Sequence, residues 1–311
     1  MFTEKLLVII GPTASGKTKL AVNIANCTNG EIISADSRQI FKNMDVGTGK
    51  DLAEYQVNGK QIPYHLIDIK EAGEKYNVNL FKNDFYQSFT QIANKNKLPI
   101  LCGGTGMYIH SILQNHNLTA IPKNEELRVK YQDLDKLALQ NILKQYPENL
   151  WLHVDFSSAK RLLRAIEIAD FLKSNELVNV KTPTINPLII GLQSDVVSRR
   201  KRILDRLHFR LNNGLIEEVE QLMADGVSEE VLIFYGLEYK FVTSYLKHEI
   251  NLATLQERLG IAICQFAKRQ MTFFRKMEKD GVKINWLNAE DDFDELKSNA
   301  IQLINAKFEL K

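Results

Sequence analysis

Residues Lys5–Ile10 form a short, β-branched apolar run closed by Gly11-Pro12, the pattern of a strand buried on both faces. Downstream, Leu20, Ile24 and Cys27 recur at helical spacing and predict a helix over Lys17–Cys27. Further strands are predicted at Glu31–Ser34, His65–Asp68 and Pro99–Cys102. A helix is predicted over Asn79–Asn94 from Leu80, Phe81, Phe85, Phe89 and Ile92. Strands alternating with helices imply a parallel sheet covered on both faces. The pattern changes after His116. From Leu118 to Asn179 amphipathic helix dominates and no strand is predicted; Leu134, Leu137 and Leu139 fit one helix and Ala159–Lys173 another. Pro187–Gly191 reads as strand again, followed by long helices over Arg199–Met223 and Leu255–Lys279. The expected organisation is an α/β core of residues 1–117 and 185–311, with helical insertion 118–184.

Composition narrows the class. Of 311 residues, 44% are hydrophobic and 25% charged, the balance of a globular chain. No apolar run approaches the roughly 20 residues needed to cross a bilayer, and Met1–Lys5 lacks a signal-peptide pattern. A cytoplasmic protein with no membrane partner is expected. The cysteines Cys27, Cys102 and Cys264 are far apart with no CxxC; each lies in an apolar stretch and is read as a small core residue. The histidines show no metal-binding spacing. Net charge is only +2, but Lys160–Arg210 holds 11 Lys and Arg against 5 Asp and Glu. Such a surface suits a polyanion, although basic helices are also common as plain solvated faces.

The most specific local signal is Gly11-Pro12-Thr13-Ala14-Ser15-Gly16-Lys17-Thr18, which fits G-x-x-x-x-G-K-[ST] between a predicted strand and a predicted helix. Glycines let the backbone curl so that N–H groups point inward. The helix adds its positive amino end. Lys17 supplies a mobile charge, and the Thr18 hydroxyl is placed to ligate a phosphate-bound Mg²⁺. The expected fold is thus α/β, a P-loop NTPase-like parallel sheet flanked by helices with a helical insertion lobe. The loop identifies a di- or triphosphate such as ATP, not a reaction. A GTPase is disfavoured, because neither a DxxG switch nor an NKxD motif is found.

Ser34-Ala35-Asp36-Ser37-Arg38-Gln39 follows the second strand, on the side where ligands bind in open α/β sheets. Asp36 there can accept a proton or serve a metal. Equally it can act as a helix N-cap with no chemical role. Gln39 can read a base edge and Arg38 can hold phosphate.

GPTASGKT, ISADSRQIFKNMDVGTGK, YHLIDI and LCGGTGMYI, in this order, resemble the tRNA dimethylallyltransferase (isopentenyl-tRNA transferase) family, bacterial type. So do RLLRAIE from Arg161, RILDR from Arg202, GLIEEV from Gly214, AKRQMTFFR from Ala267 and Asn285-Trp286-Leu287. The chain departs from the family pattern at Asp51, where a proline is usual, at Gly236-Leu237-Glu238-Tyr239 in place of G-Y-K-E, and at Ile263-Cys264.

The resemblance implies transfer of a dimethylallyl group from dimethylallyl diphosphate to N6 of the adenosine immediately 3′ of the anticodon (tRNA position 37). It implies Mg²⁺ as cofactor, the tRNA anticodon stem-loop as partner, and a monomer. On that reading residues Gly11–Thr18 hold the diphosphate rather than ATP, Asp36 takes the N6 proton, and Lys17 and Thr105 complete the catalytic set. Ser37, Arg38, Gln39, Thr105, Lys160, Arg161, Arg164, Lys268 and Arg275, with Asp36, contact tRNA. Arg202 and Arg206 hold diphosphate or RNA. N6 is paired in a duplex, so the base must come splayed from a single-stranded loop. On the last long helix Phe266 and Phe273 are expected to face the core, and Lys268 and Arg275 solvent. The competing activities are an adenylate isopentenyltransferase, a P-loop small-molecule kinase and a non-catalytic RNA-binding module.

Overall fold

The computed structural model describes residues 4–152, 154–177 and 182–309. Met1–Thr3 and the end of the predicted helical stretch, 178–181, lie outside the described residues. The elements run β1 (Glu4–Ile10), α1 (Lys17–Thr28), β2 (Gly30–Ser34), the short strands β3 (Gln56–Val57) and β4 (Lys60–Gln61), β5 (Tyr64–His65), α2 (Val78–Asn94), β6 (Leu98–Gly103) and α3 (Gly106–Leu113). Then come α4 (Glu125–Tyr131), α5 (Lys136–Leu143) and α6 (Ala159–Ser174). The chain continues through β7 (Ile185–Gln193), α7 (Val196–Leu211), α8 (Leu215–Ala224), α9 (Glu229–Tyr235), α10 (Leu237–Leu246), α11 (Leu252–Lys279), β8 (Asn285–Asn288) and α12 (Phe293–Phe308).

The chain forms two compact units: Met1–Gln114 with Pro183–Lys311, and Asn115–Thr182. In the first, six strands lie in the order β5-β2-β6-β1-β7-β8, every pairing parallel. Side chains alternate across a strand, so β1 feeds two cores. Leu6, Val8 and Ile10 join Phe81, Phe85 and Phe89 of α2 and Phe274 of α11 on one face. Leu7 and Ile9 join Leu20 and Ile24 of α1 and Ile304 of α12 on the other. A third core, with Leu207, Val219, Tyr239 and Leu259, unites α7, α8, α10 and α11. The second unit is helical. Leu139 and Leu143 of α5 pack with Leu162 and Ile166 of α6, and buried Glu167 pairs with Arg128 and Arg164. No helix among the described residues is long and apolar enough to cross a membrane.

Several local expectations are corrected. The strand expected over His65–Asp68 is β5, Tyr64–His65; Leu66 (φ 61°) and Asp68 (φ 56°) take left-handed backbone that no strand continues through. The single helix expected over Arg199–Met223 is two, α7 and α8, because Gly214 at φ 99° breaks it. Leu134 precedes α5 rather than belonging to it, since Asp135 caps that helix from Ala138 N–H. Cys27 is exposed, not a core residue: on α1 the buried face is Leu20, Ala21, Ile24 and Ala25.

Candidate active site

The strand register sets the site. Ile10 lies level with Gly103 of β6 and Gly191 of β7, and Ser34 of β2 lies level with Cys102. Three loops therefore leave the sheet side by side at its carboxyl edge: Gly11–Gly16, Ala35–Gln39 and Gly104–Thr105. They share a cavity of about 630 Å³ with residues of α7 and α11, the end of α9 and the start of α10.

The phosphate loop curls through left-handed backbone at Ala14 (φ 59°) and Gly16 (φ 78°), and α1 begins at Lys17. Ser15 Oγ is buried with no hydrogen-bond partner. Lys17 Nζ reaches only Pro12 O, at 3.5 Å. Burial lowers its pKa, opposed by Cys102 and Asp36. The same burial pushes the Cys102 thiol up to about 12, so it is inert. A half-buried, weakly bonded cation beside a curl of backbone amides is an arrangement suited to an anion.

Asp36 lies half-buried in the same cavity. No helix follows it. Its Oδ1 accepts from Arg38 N–H at 2.9 Å and closes a turn, so it is no helix N-cap. The neighbouring loop braces this turn: Thr105 N–H donates to Ala35 O at 3.1 Å, and Thr105 Oγ1 accepts from Ser37 N–H at 3.0 Å. The loops approach so closely that a Cβ at Gly103 would strike the Ala35 carbonyl. Thr105 thus carries the Asp36 turn while lining the cavity.

Two side chains that local sequence did not single out fix the frame. Gln270 of α11, 8% exposed, accepts from Thr13 N–H at 2.9 Å and donates to Gly104 O at 3.0 Å, tying the phosphate loop to the second glycine-rich loop. Glu218 of α8 accepts from the N–H groups of Asp45, Val46 and Gly47 at 2.7, 2.7 and 3.0 Å, and from Tyr239 Oη at 2.9 Å. Inside the 45–50 loop, fully buried Lys50 donates to Phe41 O and Asp45 and pairs with Asp68. Gln39, which lines the cavity, accepts from Ser34 Oγ and donates to Gly49 O, both at 3.0 Å.

The far wall is basic. Arg202, Arg206 and Arg210 of α7 line the cavity. Arg206 donates to Asp51 Oδ2 at 2.9 Å; Arg210 lies 3.7 Å from the same oxygen. Burial lowers the Arg210 pKa to about 10, with Arg206 beside it adding to the effect. Nε and Nη2 of Arg202 and Nη2 of Arg210 are buried without hydrogen-bond partners. Gly49, at φ 64°, takes left-handed backbone that favours glycine, and a Cβ there would push aside the guanidinium ends of Arg206 and Arg210. Glu238, also in the cavity, has its pKa raised by burial.

Of the expected residues, Gly11–Thr18 cluster with Asp36–Gln39 and Thr105 at this edge, while Arg202 and Arg206 line the cavity. Lys268 and Arg275 are exposed on α11, as is Arg269, which lines the cavity. Phe273 is half-buried against the core, but Phe266 is 42% exposed and lines the cavity, against the expectation that it faces the core. Lys160, Arg161 and Arg164 lie in the helical unit. There Arg164 donates to the carbonyls of Pro122, Leu118 and Ile121, and Arg161 pairs with Asp155.

The IPP transferase family pattern matches residues 39–277, and that of the isopentenyl transferases residues 4–64. The chain is 49% identical to tRNA dimethylallyltransferase 2 of Porphyromonas gingivalis, over 97% of this chain and 99% of that one. It is 48% identical to tRNA dimethylallyltransferase 1 of Parabacteroides distasonis, over 98% and 99%. Among solved structures, the tRNA isopentenylpyrophosphate transferase of Bacillus halodurans superposes with a TM-score of 0.72 at 30% identity, covering 99% of this chain and 97% of that one.

Proposed function

The chain belongs to the IPP transferase family, and from that premise we propose that it transfers a dimethylallyl group from dimethylallyl diphosphate to N6 of the adenosine 3′ of the anticodon in tRNA, as a cytoplasmic monomer. The products are N6-isopentenyladenosine in tRNA and free diphosphate. The observation that carries the reading is the placing of Asp36 and Lys17 in one cavity, with the Asp36 turn braced by Thr105. A kinase would use the same loop, but near-full-length relatives named tRNA dimethylallyltransferases support a prenyl donor and a tRNA acceptor. That match runs through the C-terminal helices, which favours tRNA over free adenylate.

The bond from N6 to C1 of the prenyl group forms as the bond from C1 to the diphosphate oxygen breaks. The lone pair of the adenine amine is delocalised into the ring, so removing its proton during attack lowers the barrier. Asp36 takes that proton. Negative charge grows on the leaving diphosphate, where Lys17, the loop amides and the amino end of α1 stabilise it. Arg202, Arg206 and Arg210 supply further donors, some of them unpaired. Lys160, Arg161, Lys268 and Arg275 offer charge to RNA phosphates, whereas Arg164 organises its own unit.

Among the described residues no group of three or more His, Cys, Asp or Glu side chains gathers to hold a metal. The donors fit Mg²⁺ shared with a phosphate, the ion's usual habit: Thr18 lines the cavity and the buried Ser15 hydroxyl is unpaired. When bound there, Mg²⁺ would neutralise charge on the diphosphate.

The test is mass spectrometry of nucleosides from tRNA incubated with the protein, dimethylallyl diphosphate and Mg²⁺. One dimethylallyl unit on N6 of the anticodon-adjacent adenosine is expected. Modification of free AMP alone, or phosphoryl transfer from ATP with no prenylation, would replace the proposal.

A further inference from the structure

The cavity mouth carries two aromatic rings that the transfer chemistry does not use. Phe234, at the end of α9, is 66% exposed, and Phe266 of α11 is 42% exposed; both line the cavity. Each ring has a guanidinium over it: Arg38 lies 5.3 Å from the Phe234 centroid, and Arg269 lies 5.8 Å from that of Phe266. Arg38 also links this mouth to the floor, since its backbone N–H holds the Asp36 carboxylate. A phenylalanine two-thirds exposed in the lining of the cavity that holds Asp36 is an apolar surface left open at a binding site. A flat ring joined to a flat cation suits one kind of partner, an unstacked nucleobase, which stacks on either plane while the cation offsets the neighbouring phosphate.

We propose that Phe234, with Arg38, is a stacking platform for the nucleobase flanking the acceptor adenosine, and so a determinant of which RNA loops this protein accepts. This rests on tRNA being the acceptor. The acceptor base itself is excluded from the platform by depth. Its N6 must reach Asp36 on the half-buried floor, whereas the Phe234 ring stands at the open rim. When the acceptor is splayed into the cavity, its neighbour loses a stacking partner, and Phe234 replaces it. The Phe266–Arg269 pair gives the rim a second surface of the same chemistry.

The experiment measures binding of an anticodon stem-loop RNA by fluorescence anisotropy, with single-turnover transfer on the same RNA. Phe234→Ala should weaken RNA binding about 5- to 100-fold, the range for loss of one base–aromatic stack, while the KM for dimethylallyl diphosphate stays at the wild-type value. Phe234→Leu keeps apolar bulk without a flat face and should lose nearly as much; Phe234→Trp should bind as wild type does. An RNA with an abasic nucleotide beside the acceptor should bind wild type as weakly as Phe234→Ala binds intact RNA, and the two losses should not multiply. Wild-type affinity in both Phe234→Ala and Phe234→Leu, or losses that multiply with the abasic site on each side of the acceptor, would overturn the platform. Failure of the acceptor reading looks different: wild type would then bind the stem-loop no better than an unrelated hairpin, which removes the platform with it.

Discussion

Buried charge is arranged in opposite ways along the same parallel sheet. Toward the amino end of β2, the Glu31 carboxylate is almost wholly buried and fully engaged: Lys97 Nζ at 2.7 Å, His65 Nε2 at 2.8 Å and Lys95 Nζ at 3.4 Å. At the carboxyl ends of the strands, among the described residues, Lys17 makes one long hydrogen bond, Arg202 and Arg210 carry buried nitrogens without hydrogen-bond partners, and Ser15 Oγ has none. The first cluster is complete without a ligand. The second is electrostatically unfinished, the arrangement that the proposed diphosphate would complete. Buried polar groups are normally satisfied, so unsatisfied ones gathered in one cavity mark function more reliably than charge alone.

The comparison is broken most severely at Asp36. Asp36→Asn keeps the turn, because the amide oxygen can still accept from Arg38 N–H, but it cannot take a proton. Turnover should fall about 100- to 10,000-fold, with the melting temperature and the donor KM little changed. Single-turnover rates and thermal melts on the same variant check this; near wild-type turnover would remove Asp36 from the mechanism. Lys17→Ala comes next. Losing one charge donor to the developing diphosphate should cost about 100- to 1,000-fold in rate, while stem-loop affinity, measured without donor, stays at the wild-type level.

At the opposite pole Glu31→Gln should do the reverse, lowering stability by about 1–3 kcal/mol for lost hydrogen bonds to a charged group and leaving donor KM unmoved. Burial alone would raise the Glu31 pKa, but the hydrogen bonds from Lys97 and His65 overcome it and hold the value at about 2, against 4.5 ordinarily. A carboxylate depressed on folding stabilises fully above the ordinary value and loses that stability as pH falls toward the folded one. The gap in melting temperature between wild type and Glu31→Gln should therefore be constant above about pH 5 and shrink between roughly pH 4.5 and pH 2. A gap independent of pH would mean the cluster acts by packing.

What was legible in the sequence follows the same division. Thr105 came only with the family resemblance, whereas the phosphate loop and Asp36 could be placed at the sheet edge because each follows a short strand whose end dictates the local backbone. Gln270 and Glu218 could not, although both lie in stretches that were noticed. Their roles depend on partners far away in sequence, Thr13 for one and the 45–47 amides for the other. The helix spacing that sent Phe266 to the core was sound as a pattern. It failed because this face of α11 lines a cavity there, and periodicity cannot distinguish a core from a cavity. Asp36 is open between cap and base in the sequence; the turn that follows it removes the helix cap, and the base role stands as the proposal.

The smallest effect gives the finest test of the unfinished pole. Asp51 stands where the family pattern has proline, and at φ 44° it occupies backbone that proline cannot adopt. Its carboxylate holds Arg206 at 2.9 Å, yet it is 48% exposed and Arg206 32%, so solvent weakens the pair to about 0–1 kcal/mol. On the proposed function, Asp51 would be a resident anion competing with the diphosphate for Arg206. Asp51→Asn suits the left-handed backbone and removes only the charge. Donor KM should fall about two- to five-fold, the factor that corresponds to an exposed pair of that strength, with turnover unchanged. A higher KM, or an unchanged KM together with tighter stem-loop binding by the same variant, would overturn the assignment of Arg206 to diphosphate.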